Sequence, residues 1–438
     1  MKKILIFGAG KSASCLIDYL CRQCEENNWM LVVCDSDLLL AQSKISNCKN
    51  ANAISIDVSD DVKRTNMIRD ADIVISMLPH HLHFLVAFDC VDNGKHLLTA
   101  SYIDEKIKQL GDQINQKKLL FLCEMGLDPG IDHMSAMHMI NDIKNNGGTI
   151  ESFKSHCGGL ISPESDNNPW HYKITWNPGN IVMAGAAGAV YKIDGQIKEV
   201  AYTDIFRDCK TVVIPGLSNF AWYPNRDSLA YINTYGLNDI KTFIRTTLRH
   251  PSFCHGWNNI VNMELTATND YEQIKSCKTY GDWYQKKIAS TQFIIGENQN
   301  EFIEQLDYLG LRDNTIIATS AKNSAYVLQN RLEKKLAMHP HDKDMIVMLH
   351  EVVYEIKGKK KEIRSCLIVT GEDEKQTAMA KTVGLPLGIA AKLILLDKMK
   401  LTGLHIPVIP EIYEPVLSEL ETNGIQFKNE IKEHEEHL

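Results

Sequence analysis

The chain has 438 residues, with 47 Lys and Arg against 55 Asp and Glu, a net charge of −8 and 44% hydrophobic residues. That length exceeds what one hydrophobic core usually serves, so two or three domains are expected. The acidic balance, with a pI near 6.1, offers no broad positive field and argues against nucleic acid or an anionic membrane surface as partner.

No segment reads as a signal peptide, and none reads as the run of ~18 apolar residues that crosses a bilayer. Twelve cysteines are scattered without disulfide or zinc spacing. They read as reduced thiols, which points to the cytoplasm. Cys21-Arg22-Gln23-Cys24 falls inside the first helical pattern and reads as incidental.

Residues 4–7 (I-L-I-F) form a short unbroken apolar run, as a strand covered on both faces does. Gly8-Ala9-Gly10-Lys11-Ser12-Ala13 follows, a G-x-G-x-x-A turn that opens a helix. Gly8 permits the tight turn, Gly10 leaves room for a pyrophosphate and Ala13 lets helix pack on strand. The helix start then aims its N–H groups and dipole at the phosphates. A dinucleotide site is the reading.

Residues 29–34 predict a second strand with Asp35 at its end, placed to accept hydrogen bonds from the adenosine ribose and to repel a 2′-phosphate. Asp37 adds to that repulsion, so NAD(H) is favoured, with NADP(H) left open. A third strand at 53–58 carries Asp57 toward the adenine side. A fourth at 71–78 ends on Leu78 and Pro79, and the loop His80-His81-Leu82-His83 reads as lying beside the nicotinamide ring. These histidines have no carboxylate or cysteine nearby to complete a set, and no metal site is expected.

Strands at 95–100 and 119–123 deliver Ser101 and Tyr102, and then Glu124-Met125-Gly126-Leu127-Asp128-Pro129-Gly130, to their carboxyl ends. In open α/β sheets ligands bind there. Residues 131–144 read as an amphipathic helix, 149–157 as a strand into Gly158-Gly159, and 163–178 as a shaped loop. From 251 to 338 the periodicity is helical. Residues 345–356 and 362–370 flank a turn at Gly358 as a hairpin, with the basic run 357–361 at its tip. A helix through Ala378 and Gly384 follows, 387–396 is apolar enough to pack back on the body, and the acidic tail after Lys428 reads as frayed.

Several strings resemble those of the saccharopine dehydrogenase family, in its glutamate-forming saccharopine reductase branch. They are G-L-D-P-G-I-D-H at 126–133, C-G-G-L at 157–160, Y-K-I-T-W at 172–176, Y-P-N-R-D-S at 223–228, T-L-R at 247–249 and A-M-A-K-T-V-G at 378–384. The resemblance implies an α/β fold: a Rossmann-type parallel sheet plus a mixed α/β substrate domain with an all-helical insertion. The expected boundaries are 1–127 for the dinucleotide domain, with 376–438 packing back on it, 128–250 plus 339–375 for the mixed domain, and 251–338 for the insertion.

The resemblance further implies reduction, by nicotinamide hydride, of the imine that 2-aminoadipate 6-semialdehyde forms with glutamate. Ser101, Tyr102, Asp128, Arg226 and Thr247, Leu248 and Arg249 would contact saccharopine; Met125, Gly126, Leu127 and Trp176 would lie by the cofactor. Arg226 and Arg249 suit a tricarboxylate because each guanidinium is a planar fork. Asp128, Tyr102 and Cys157 are the acid/base candidates.

The chain departs from the family pattern twice. Cys34-Asp35-Ser36-Asp37 stands where an arginine-bearing stretch suits NADP, and Trp170-His171 stands where smaller residues are usual. Partners are then small amino-acid substrates, with a homodimer left open. A carboxynorspermidine-forming imine reductase and a non-catalytic NAD-binding sensor or scaffold are the alternatives.

Overall fold

The computed structural model describes residues 1–294 and 299–433. It divides into two compact units, Met1–Asn145 with Lys375–Gln426, and Asn146–Glu374 with Phe427–Leu438. The boundary therefore falls later than residue 127, because the helix Ile131–Asn145 packs with Pro410–Thr422, Asn141 donating to the Tyr413 hydroxyl at 2.8 Å.

The first unit holds a seven-stranded sheet in the order Gly403–His405, Leu120–Leu122, His96–Thr99, Ile73–Ser76, Lys3–Phe7, Met30–Asp35, Ala51–Ser55. Every pair is parallel. Lys3–Phe7 lies between strands on both sides and its Ile4 to Phe7 are buried, which is why the run is apolar without alternation. Helices cross over between strands, so the strands' carboxyl ends and the loops that follow them gather on one edge.

The helix Ala378–Leu395 has the length and apolarity to cross a membrane, contrary to the sequence reading, yet 78% of it is buried. It is a core helix of this unit. A Cβ at Gly384 would stand 2.9 Å from Leu16 Cβ, and one at Gly388 2.7 Å from Tyr19 Cδ1, so both glycines let it lie close on Ser14–Asn27.

A second correction concerns the cysteines. Cys21 on Ser14–Asn27 is joined to Cys48, in the turn before Ala51–Ser55, with Cα atoms 5.4 Å apart. The crossover brings together two residues whose spacing announces nothing. Cys24 stays a buried thiol, its pKa pushed up to about 12 by burial.

His83 is buried, with Nδ1 2.8 Å from Ser76 Oγ. Burial, aided by His80, pulls its pKa down to about 4. The fold holds the neutral imidazole, so this stability is present above the unfolded pKa near 6.5 and is lost as pH falls toward about 4. Between pH 7 and 5 the loss amounts to about 2 kcal/mol. In urea unfolding, His83→Gln is expected to lose that much less than wild type over the same interval. Equal slopes would remove His83 from the acid sensitivity.

The second unit is built on a ten-stranded mixed sheet whose main path runs Lys210–Val213, Asn219–Pro224, Thr242–Arg249, Thr149–Ile161, Asp344–Ile356, Lys359–Thr370, Lys428–Glu433. The last strand corrects the expectation of a frayed tail: it pairs antiparallel with Lys359–Thr370, Ile431 opposite Ile363. Residues 434–438 lie outside the described residues. Lys357 and Gly358 both have positive φ (52° and 72°), as a two-residue hairpin turn requires.

Helices Pro251–Asn262, Tyr271–Lys275, Tyr280–Thr291, Gln299–Leu309 and Ser324–Lys335 follow Thr242–Arg249 and share a core around Trp257, Trp283, Leu306 and Leu328. Residues 295–298 of that helical stretch lie outside the described residues.

Candidate functional site

In the first unit the glycine turn follows directly on Lys3–Phe7. Gly8 donates to Cys34 C=O at 2.7 Å and has φ +101°, and a Cβ there would stand 2.8 Å from Met77 O, so only glycine fits. Gly10 is different. A Cβ on it would meet nothing within 4 Å, so its absence serves something other than protein packing, in the place where the motif seats a pyrophosphate. Ala9 and Ala13 are buried, Ser12 is half-buried and Lys11 is exposed. These residues fit a dinucleotide.

Asp35 does not present a free carboxylate to a ribose. Its Oδ2 accepts the Ala9 N–H at 2.7 Å and its Oδ1 the Asp37 N–H at 3.0 Å. The acid ties the glycine turn to the strand end. Asp37 is an N-cap that accepts from Leu40 N–H. Asp57 is exposed and accepts the Ser59 N–H and hydroxyl, which hold its pKa below the usual carboxylate range. Leu78 is half-buried and Pro79 exposed.

The loop 124–130 is a clamp. Gly126 donates to Pro129 C=O at 3.0 Å, Ile131 donates to Gly126 C=O at 2.9 Å, and a Cβ on Gly130 would fall 2.0 Å from Gly126 O. The Asp128–Pro129 bond is cis. Beneath it Glu124 is buried, its Oε2 2.9 Å from His133 Nε2 and its Oε1 accepting the Ile103 N–H. Asp132 Oδ1 takes the Gly130 N–H at 2.6 Å.

Met125, Gly126 and Leu127 are buried in this construction, and Asp128 is held half-exposed. Glu124, Asp132 and His133 were not singled out from sequence. The signal was the D-H that closes the G-L-D-P-G-I-D-H string. Ser101 and Tyr102 are half-buried at the end of the neighbouring strand, where Ser101 C=O accepts Glu124 N–H at 3.0 Å.

In the second unit Tyr223, Thr247, Cys157 and Met348 stand opposite one another on four adjacent strands. Cross-strand neighbours share a face, and Arg249, two residues past Thr247, shares it too. Arg249 is 5% exposed, with Cζ 5.2 Å from the Tyr172 ring and 5.6 Å from Phe253. Its Nη1 donates to Leu248 C=O at 2.8 Å, its Nε has no partner, and among the described residues no carboxylate is within ion-pair distance.

The buried Tyr223 hydroxyl, bonded to Thr247, has its pKa pushed up to about 12 by burial in spite of Arg249 beside it. Tyr223, Tyr172 and Phe253 are thus parts of the arginine's surroundings that sequence reasoning missed, being aromatics that also read as core.

Leu248 departs from the expectation of a substrate contact through its side chain. Strand alternation turns it to the opposite face, into a core with Leu160, Val347 and Leu349. Arg226 is exposed and has φ +53°, uncommon for a side chain this long. Trp176 is half-buried against the helical core, its indole N–H donating to the Tyr172 hydroxyl at 3.3 Å. No group of three or more His, Cys, Asp or Glu that could hold a metal ion occurs among the described residues.

Residues 4–122 match the family model described as the saccharopine dehydrogenase NADP binding domain, and residues 126–425 the saccharopine dehydrogenase C-terminal domain. The mouse (Mus musculus) mitochondrial alpha-aminoadipic semialdehyde synthase is 32% identical over 447 residues, covering 98% of this chain but 48% of that protein. The chain thus spans about half of that relative.

Saccharopine dehydrogenase [NADP(+), L-glutamate-forming] of Schizosaccharomyces pombe is 30% identical over 455 residues, covering 99% of this chain and 100% of that one. The apo saccharopine dehydrogenase (L-Glu forming) structure from Saccharomyces cerevisiae superimposes with a TM-score of 0.88 at 30% identity, covering 99% and 100%. The NADP-binding domain match and the NADP(+) relatives overturn the preference for NAD(H) read from Asp35. In the structure each Asp35 oxygen accepts one backbone N–H, so the acid serves the glycine turn and part of the charge that would oppose a 2′-phosphate is shared with amides.

Proposed function

The chain belongs to the saccharopine dehydrogenase family, and from that premise we propose that it is an NADP(H)-dependent oxidoreductase. It interconverts saccharopine with 2-aminoadipate 6-semialdehyde and glutamate. NADP(H), when bound, supplies the acceptor or donor of hydride, and the chain's own residues do the rest.

The observation that carries this reading is Arg249, a buried guanidinium whose described surroundings hold aromatic rings and no carboxylate. A buried cation without an internal anion is costly, and a substrate carboxylate offsets that cost. Such a site favours a tricarboxylate over a polyamine. Arg226, presented in a strained backbone conformation, is assigned a second carboxylate.

Asp128 is assigned the proton at the amine nitrogen, since the glycine clamp and the Glu124–His133 pair hold its loop in place. Tyr102 and Cys157 are the remaining acid/base candidates, and Ser101 and Thr247 position substrate. Gly10 leaves space for the pyrophosphate, and Met125 to Leu127 with Trp176 are assigned to the nicotinamide end. Ten of the twelve cysteines are free thiols, which favours a reducing setting such as the cytoplasm, with Cys21–Cys48 the exception.

The test is to incubate the protein with NADPH, glutamate and 2-aminoadipate 6-semialdehyde, alongside other amines and aldehydes, and follow the loss of NADPH absorbance. Fastest turnover is expected with that pair. Tight NADPH binding with no turnover of it in either direction would sink the reading.

A further inference from the structure

Resting on the assignment of Arg249 to a substrate carboxylate, we propose that His171 is a positioning residue for that site: stacked on His250, its ring clamps together the two segments that wall the guanidinium. The walls are the Tyr172 ring, 5.2 Å from Arg249 Cζ, and the Phe253 ring, at 5.6 Å. Their centroids are 5.1 Å apart, yet Tyr172 comes from the loop after Thr149–Ile161 and Phe253 from the helix Pro251–Asn262. One histidine belongs to each segment.

His171 immediately precedes Tyr172. Its backbone is left-handed, φ +49°, and its imidazole stays half-exposed between the buried Trp170 and Tyr172. His250 immediately follows Arg249, and its Nδ1 accepts the Ser252 N–H at 3.3 Å, capping the helix that carries Phe253. The two rings lie face to face, with centroids 3.8 Å apart and planes at 26°. Asp166 Oδ2, 2.7 Å from His171 Nδ1, fixes the orientation of the outer ring. An ionised carboxylate only accepts, so that Nδ1 carries the proton.

The clamp has an acid limit. His250 caps its helix only while Nδ1 is unprotonated. Burial first, and then His171, lower its pKa, and His255 on the same helix adds to the fall; Asp166 from the loop and Glu301 from the helix Gln299–Leu309 oppose it. The clamp is therefore complete above the ordinary histidine value near 6.5 and is lost as pH falls through the lowered one.

Steady-state oxidation of saccharopine by the full chain, with NADPH titrations and melting temperatures of the same preparations, tests this. His171→Ala is expected to raise the KM for saccharopine about tenfold, with kcat within about twofold and NADPH affinity unchanged, because a loosened wall weakens substrate binding more than the chemistry. His171→Phe keeps a ring on His250 and should return the KM to near wild type, which a histidine bonded directly to substrate would not allow. Between about pH 7.5 and about pH 5.5 the wild-type KM should climb more steeply than that of His171→Phe, where a protonated His250 meets an aromatic face instead of a second imidazole.

A His171→Ala protein with the wild-type KM overturns the proposal, as does a His171→Phe protein as impaired as His171→Ala. Should the alanine variant melt early, parallel pH dependence of KM in wild type and His171→Phe overturns it instead. An Arg249→Met protein with unchanged kcat/KM removes the carboxylate site and the proposal with it. A lowered kcat/KM in Arg249→Met beside an unaffected His171→Ala leaves the site standing and strikes the proposal alone.

Discussion

Replacing Arg249 with methionine is expected to lower kcat/KM for saccharopine about a thousandfold, or about 4 kcal/mol, and to leave the fold at least as stable as before. The two halves of this result come from one fact. Arg249 is buried against Tyr172 and Phe253, its Nε has no partner, and its Nη1 donates to its own neighbour's C=O. The folded protein therefore bears much of the desolvation cost of this charge without an ion pair in return, and an apolar side chain of similar length relieves it.

A substrate carboxylate reaching the site meets the full charge in a low dielectric, where charge-assisted bonds are strongest. Arg249→Lys should fall between, because an ammonium keeps the charge and loses the fork. Steady-state kinetics in the saccharopine-oxidising direction, with melting temperatures of the same preparations, check both halves. An Arg249→Met protein with unchanged kcat/KM, or one that fails to fold, would show the guanidinium to be structural.

How much of this was legible beforehand differs by residue, for physical reasons. The inner strands of the first unit were legible because parallel strands covered on both faces must be apolar throughout, and those runs ended where the loops carry chemistry. The edge strands were less so, Ala51–Ser55 being largely exposed and set earlier than the expected 53–58, and Gly403–His405 too short to show a pattern. The direction of Leu248 was legible in principle. Once 247–249 is a strand, period two sends its middle residue away from the other two. The aromatic surroundings of Arg249 were not, because Tyr172, Tyr223 and Phe253 come from three separate segments that only the sheet pairing and the following helix bring together.

Asp35 shows a subtler limit. Its position at a strand end was read correctly, but a carboxylate's influence on a ligand depends on where its oxygens point, and those go to Ala9 and Asp37 N–H groups. The tail strand Lys428–Glu433 escaped for a related reason. Alternating charges look solvated, yet they also suit an edge strand, which must present an unattractive face to other chains.

Gly8 and Gly10 stand two residues apart in one motif, and their substitutions are expected to fail in opposite ways. Gly8→Ala should cost stability, about 1–3 kcal/mol or more, because φ is +101° and the new Cβ would stand 2.8 Å from Met77 O. Gly10→Val should leave the melting temperature where it is. Its backbone, at φ −60° and ψ −179°, accepts a side chain, and no protein atom lies within 4 Å of the added Cβ.

What that side chain fills is the space the motif keeps for a pyrophosphate, in front of the helix that begins at Ser14. NADPH affinity should then fall about a hundredfold or more in a fluorescence titration. A Gly10→Val protein that binds NADPH as wild type does would move the dinucleotide away from this turn. A Gly10→Val protein that melts early would mean that the glycine serves the fold after all. Only the predicted combination, normal melting with lost binding, assigns Gly10 to the ligand and Gly8 to the chain.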